Sequence, residues 1–188
     1  MIRRILILAA LCVASMGAWA QSLTPAQQTT VRAFACADTG TARPYVLNGD
    51  ANSLRAWLNT QGTFVVWRTS VPLVEILRNP AYDWTRVDNL SVGKARIWEM
   101  MFMPGPIDCS RANIRAGIDA VWVGTAADLA VRAVVMAQCK RNSNRVEQAL
   151  ATGTGTTATP GLLTYEGEIG ETDSVRLLYN DNGTLKGC

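Results

Sequence analysis

The sequence predicts a mainly α fold, a compact helical bundle of about six helices with a Gly/Thr linker and a short extended or β-hairpin C-terminal tail. Three observations lead there. Helix-start signatures recur along the chain: Thr24-Pro25-Ala26-Gln27, Asp50, Ser91, Thr125-x-x-Asp128 and Asn144-x-x-Glu147. Between them apolar residues return at helical spacing. A hydrophobic content of 48% against 18% charged, over 188 residues, is enough to fill the core of one ordinary domain.

The first twenty residues stand apart. Arg3 and Arg4 precede an apolar run from Ile5 to about Val13, and Ala18-Trp19-Ala20 offers a small-x-small cleavage site before Gln21. These are the parts of a secretory signal peptide, and the run is short for a bilayer core of ~30 Å. The expected organisation is a signal-like segment over 1–20, a helical domain over 21–152, and linker and tail over 153–188.

Within the domain, Thr24 caps a helix whose first position suits Pro25 and which runs to about Ala37. TGTARPYVLNG (39–49) is rich in turn formers and reads as a loop. Asp50 caps a helix over 51–60. GTFVVWRTSV reads either as a buried strand or as an extended connector. A brief helix after Pro72 must end at Asn79-Pro80, since the residue before proline disfavours helical geometry. Thr85-Arg-Val-Asp88 has capping-box spacing, and Ser91 starts a helix through about Phe102. Ile97, Trp98 and Met101 form its apolar side, with Lys94, Arg96 and Glu99 at the margins. Pro104 to Pro106 end it.

Ser110 caps RANIRAGIDAVWV, which stops at Gly124. Thr125 and Asp128 box the start of the most apolar helix, LAVRAVVMAQCKR, expected at the centre of the bundle. Asp128 and Arg132 are four apart and can pair on its polar edge, and Lys140 and Arg141 suit its C-terminal dipole. Asn144 caps a last helix to Ala151. ATGTGTTATPG reads as a flexible or extended linker, and Asn182-Gly183 as a hairpin turn.

Composition narrows the chemistry. The chain has no histidine, which excludes His-dependent nucleophilic sites and His-ligated zinc. Net charge is +3 with scattered Lys and Arg, so no dedicated nucleic-acid surface is evident. The spacing of Asp88, Glu99, Asp119 and Glu147 gives no reason to place them as a catalytic pair. The reading is of a non-enzyme without cofactor, metal or small-molecule substrate. Beyond residue 20 the cysteines are Cys36, Cys109, Cys139 and Cys188, an even set that could form two bridges in any of three pairings. The apolar helical settings of Cys36 and Cys139 favour small buried hydrophobes instead.

Several stretches resemble a family of small proteins encoded in the structural-gene modules of tailed bacteriophages and prophages. They are VWRTSV (66–71), DWTRVDNLSVGKARIWE (83–99), RAGIDAVWVGTAADLAVRAVV (115–135), CKR (139–141), ATGTGT (151–156) and YEG (165–167). Leu23-Thr-Pro-Ala-Gln27 is similar to the family's usual N-terminus, whereas 36–62 matches poorly and the signal-like segment precedes the family-like start. The resemblance implies a virion structural or assembly role, with a build similar to head–tail connectors or to capsid-associated proteins. It implies partners among portal, tail or capsid subunits and homo-oligomers in assembly, and carries no catalytic residues. An exported periplasmic binding or interaction protein is the alternative that residues 1–20 support. Localisation is the virion on the first reading and the periplasm or exterior on the second. Trp84, Arg86, Asp88 and Trp98 are the candidate partner-contact residues, because Trp and Arg dominate binding hot spots. The competing reading places both tryptophans in the core.

Overall fold

In a computed structural model, residues 22–188 are described; the signal-like segment lies outside them. The fold is mixed α/β, about 52% helical, with ten helices and a two-stranded antiparallel sheet among the described residues. The expected bundle of about six helices with a linker and an extended tail is therefore corrected in three places.

The chain opens with α1 (Pro25–Ala37), closed by the Thr24–Gln27 capping box. The expected loop then contains α2 (Ala42–Asn48). Its Pro44 lies in the first turn, where no intrahelical N–H is needed, and Gly49 ends it at φ 69°. Next come α3 (Ala51–Asn59), capped by Asp50, and β1 (Gln61–Trp67), the strand reading of the apolar run. The middle of the chain forms α4 (Leu73–Arg78), α5 (Thr85–Asp88), α6 (Val92–Phe102), α7 (Ala112–Val121) and α8 (Ala126–Gln138). The Thr85–Asp88 capping box does not form: Trp84 is already helical at that end, and Thr85 bonds back to Asp83. Ser110 likewise turns onto Asp108, leaving Arg111 at the α7 N-cap.

The second correction follows α8. Lys140 and Arg141 do not sit on a helix end but begin β2 (Lys140–Asn144), which pairs with β1 through Val65↔Asn142, Val66↔Arg141 and Trp67↔Lys140. Long-range ladder bonds win over local propensity here. Asn144 then boxes α9 (Arg145–Leu150) with Glu147.

The third correction concerns the tail. ATGTGTTATPG is a fixed loop on the free edge of β1: the Val65 N–H donates to Gly155 O at 2.8 Å and the Trp67 N–H to Gly161 O at 3.0 Å. A Cβ at Gly155 (φ 64°) or at Gly161 would run into the Phe64 ring. Beyond it lies α10 (Glu171–Leu178), with acids in its first turn and Arg176 in its last. Asn182-Gly183 does make a turn, bridging Tyr179 to Leu185.

Two apolar cores result. The first gathers Val31 and Ala35 of α1, Val46 of α2, Leu54 and Leu58 of α3, Leu150 of α9 and Leu177 and Leu178 of α10. The second gathers Trp67, Tyr82, Trp98, Ile118, Trp122, Val131 and Val135. One disulfide serves each: Cys36–Cys188 joins α1 to the tail, and Cys109–Cys139 joins the segment before α7 to the end of α8. The expectation that Cys36 and Cys139 are unbonded hydrophobes is corrected. Proximity in the fold pairs all four cysteines, a result that sequence spacing could not supply.

Candidate interaction surface

The second core is organised by edge-to-face aromatics. Trp122 is fully buried, with Trp98 at 5.3 Å and 77° and Tyr82 at 6.2 Å and 86°; Phe102 meets Trp98 at 5.0 Å. Burial pushes the Tyr82 hydroxyl up to about 12. Trp67 is flanked by two cations, Arg115 at 4.6 Å and Lys140 at 5.2 Å from its ring centre. The short α5 packs Val87 against this core and is tied to α8 by Arg86. Arg86 donates from Nη2 to Asp128 Oδ1 at 2.7 Å and from Nε at 3.2 Å, while Asp128 Oδ2 accepts from the Thr125 hydroxyl and amide. The Arg86 hydrogen bonds, with those from Thr125, hold the Asp128 carboxyl down at about 2. The expected Asp128–Arg132 pair is absent; Arg132 pairs with Asp119 on α7 at 2.8 Å instead.

The four candidate contact residues part company. Trp98 is 5% exposed and belongs to the core. Arg86 is spent inside the molecule, on Asp128. Trp84 is 56% exposed and rests edge-on against Tyr82 at 5.7 Å, and Asp88 is exposed on the same short helix. The core reading thus describes Trp98 and the surface reading Trp84.

Sequence reasoning missed the outer side of α6. Trp98 marks its buried centre, with Met101 and Phe102 beside it. Val92 (87%), Met103 (79%), Met100 (55%) and Ile97 (44%) are exposed, on the arc opposite Trp98 or at its edge. Lys94 ties the helix to the end of α7, donating from Nζ to Val123 O at 3.0 Å. A signal was present: five of the six residues from Ile97 to Phe102 are apolar, more than one buried face can use. Exposed methionine suits an adaptable contact surface.

Other polar clusters are spent on structure. Glu147, nearly buried, accepts from Arg141 Nη1 at 2.7 Å, Arg141 Nη2 at 2.8 Å, the Asn144 amide at 3.1 Å and the Gly167 amide at 2.9 Å. Burial raises its carboxyl, but these donors more than offset that and leave it below the usual carboxylate range. Arg141 also reaches Glu166, which bonds Thr69, so one network joins the end of the sheet to both cores. Of the other acids, Asp119 is held by Arg132, and Asp88 and Glu99 are exposed. An open groove of about 480 Å³ between α8 and the sheet, lined by Val65, Met136, Lys140 and Thr157 among others, contains no carboxylate. Among the described residues no group of three or more His, Cys, Asp or Glu could hold a metal ion.

Compared with protein-family models, curated proteins and solved structures, the chain matches none. Among the described residues no helix is long and apolar enough to cross a membrane.

Proposed function

We propose that this protein is a structural or assembly component of a tailed-phage particle, working through protein–protein contacts at the head–tail junction or on the capsid. The observation that carries the reading is the outer face of α6, where four large apolar side chains lie open to solvent. The phage-like stretches 83–99 and 115–135 supply α5 and most of α6, α7 and α8, the elements that build and support this face. Met100 would anchor a partner there, with Arg96 and Glu99 as its polar rim, and the exposed Trp84 and Asp88 would offer a further contact. Arg86 contributes indirectly, by holding α5 in place.

The test is reconstitution with tailed-phage portal and capsid proteins. Negative-stain microscopy of the mixture is expected to show added density at the portal ring or capsid surface, and Trp84→Ala to weaken it. Wild-type protein that leaves both assemblies bare overturns the reading.

A second reading, an exported interaction protein, is supported by the two disulfides, since structural disulfides persist in oxidising compartments and are rare in the cytosol. N-terminal sequencing and thiol labelling of protein made in a Gram-negative host decide it. Export requires periplasmic protein beginning near Gln21 with no free thiols. Full-length cytosolic protein with four reactive cysteines beyond residue 20 removes it.

A further inference from the structure

Three exposed side chains of α6 and that of its C-cap, Met103, whose backbone is still helical, form a pattern that reads the same from either end. Val92, Arg96, Glu99 and Met103 follow one another at intervals of four, three and four, so they fall on a single stripe of the helix surface. Val92 and Met103 are the two most exposed large apolar residues in the described chain, and Arg96 and Glu99 are exposed between them. None of the ion pairs among the described residues uses either charge. Turning the helix end for end about the midpoint between Ile97 and Trp98 exchanges Val92 with Met103 and Arg96 with Glu99.

We propose that α6 pairs with α6 of a second copy of this chain, antiparallel, across a two-fold axis. In that arrangement Val92 of each copy meets Met103 of the other over a contact about 16 Å long. Each Arg96 meets the opposite Glu99, so the charges attract twice and apolar contacts close both ends. A two-fold interface must be self-complementary in this way. Parallel stacking of the same stripe would set Arg96 against Arg96 and Glu99 against Glu99, which costs free energy instead. Met100 and Ile97 flank the stripe and extend the apolar contact to one side. A helix pair approaching to about 8–10 Å leaves room for these side chains. The inference rests on the reading of the α6 face as a contact surface and names the partner that its charge order fits.

Sedimentation velocity on the purified full chain, up to about 100 µM, tests it, because an interface this small belongs to the weaker class. Wild type is expected to show a concentration-dependent monomer–dimer equilibrium and M103E to stay monomeric with unchanged thermal stability. R96E and E99R should each weaken dimerisation about tenfold, since each sets two like charges face to face, and R96E/E99R should recover wild-type affinity to within about threefold. A wild type that remains monomeric, an M103E dimer, or a charge-swap double variant that stays as weak as the singles each overturns the pairing. Such a failure leaves the virion reading to the portal and capsid microscopy, which a monomer can still satisfy.

Discussion

The first core is filled mostly by aliphatic side chains, with Tyr165 buried among them, that come from both ends of the described chain, whereas the second is built around Trp67, Tyr82, Trp98 and Trp122 from its middle. The first must therefore bring residues 22–60 together with 145–188, and the Cys36–Cys188 bridge spans a separation of 152. The second closes within residues 67–139, and its Cys109–Cys139 bridge spans 30. Between the cores lie the β1–β2 ladder and the Arg141–Glu147–Glu166 network. The division of labour is physical. A locally closed aromatic unit seats α6 through the buried Trp98, and a unit drawn from both ends of the described chain closes the first core.

Removing the two bridges separately probes that contrast most strongly. On chain-entropy reasoning Cys36→Ser/Cys188→Ser should cost about 5 kcal/mol and Cys109→Ser/Cys139→Ser about 3.5 kcal/mol, read from urea unfolding under oxidising conditions. If the shorter loop proves the costlier one to open, the first core does not depend on closure by its bridge. Next in size, Glu147→Gln weakens one partner of a largely enclosed ion pair and costs about 3 kcal/mol. Amide exchange should then speed up in α9 and in β2 together; loosening confined to α9 would deny that this network joins the two cores. Gly155→Ala follows at about 2 kcal/mol, because it combines a left-handed backbone with a Cβ directed into the Phe64 ring. Gly183→Ala, equally left-handed but with open space around it, is the control at about 1 kcal/mol. Equal melting temperatures for the two would show the Gly/Thr segment to be a loose linker after all.

Local signals were legible where the physics is local. The Thr24, Asp50, Ser91, Thr125 and Asn144 starts all cap helices through their own side chains, as their spacing dictates. What failed was the step from local to long-range. Lys140 to Asn144 has no strand propensity of its own and becomes extended because β1 lies alongside. The Gly/Thr segment is fixed by three backbone bonds to β1 and by Phe64, none of which leaves a periodic trace. Helix α10 did carry a signal, with Glu171 and Asp173 ahead of Leu177-Leu178, and it was lost to the weak alternation around it. For the surface, Trp84 and Trp98 are chemically alike in sequence, yet only position in the fold sends one outward. The α6 stripe was legible as spacing but invisible as surface, because burial of Trp98 is what turns Val92 and Met103 to solvent.

The smallest effect concerns how acid acts on the second core through a single pair. The Asp128 carboxyl ordinarily titrates at 3.8 and is held at about 2 in the folded chain, chiefly by Arg86. Since the folded value lies below the unfolded one, the unfolded chain binds more protons between them and stability falls as pH drops through that window. The contribution is complete above the unfolded value and lost once pH has fallen through about 2. Arg86→Met removes the main cause of the depression while keeping an apolar stem over the same ground. The variant should melt a few degrees below wild type at neutral pH, and the gap should close toward pH 2. Other depressed acids, Asp38, Asp50, Glu75, Asp108 and Glu147 among them, destabilise both proteins alike in acid, so the gap itself isolates the Arg86–Asp128 pair. Amide exchange should show faster opening of α5 in the variant, with α1 and α3 of the first core unchanged. A gap that stays constant down to pH 2 would mean that Arg86 holds α5 by packing its stem and not by its charge.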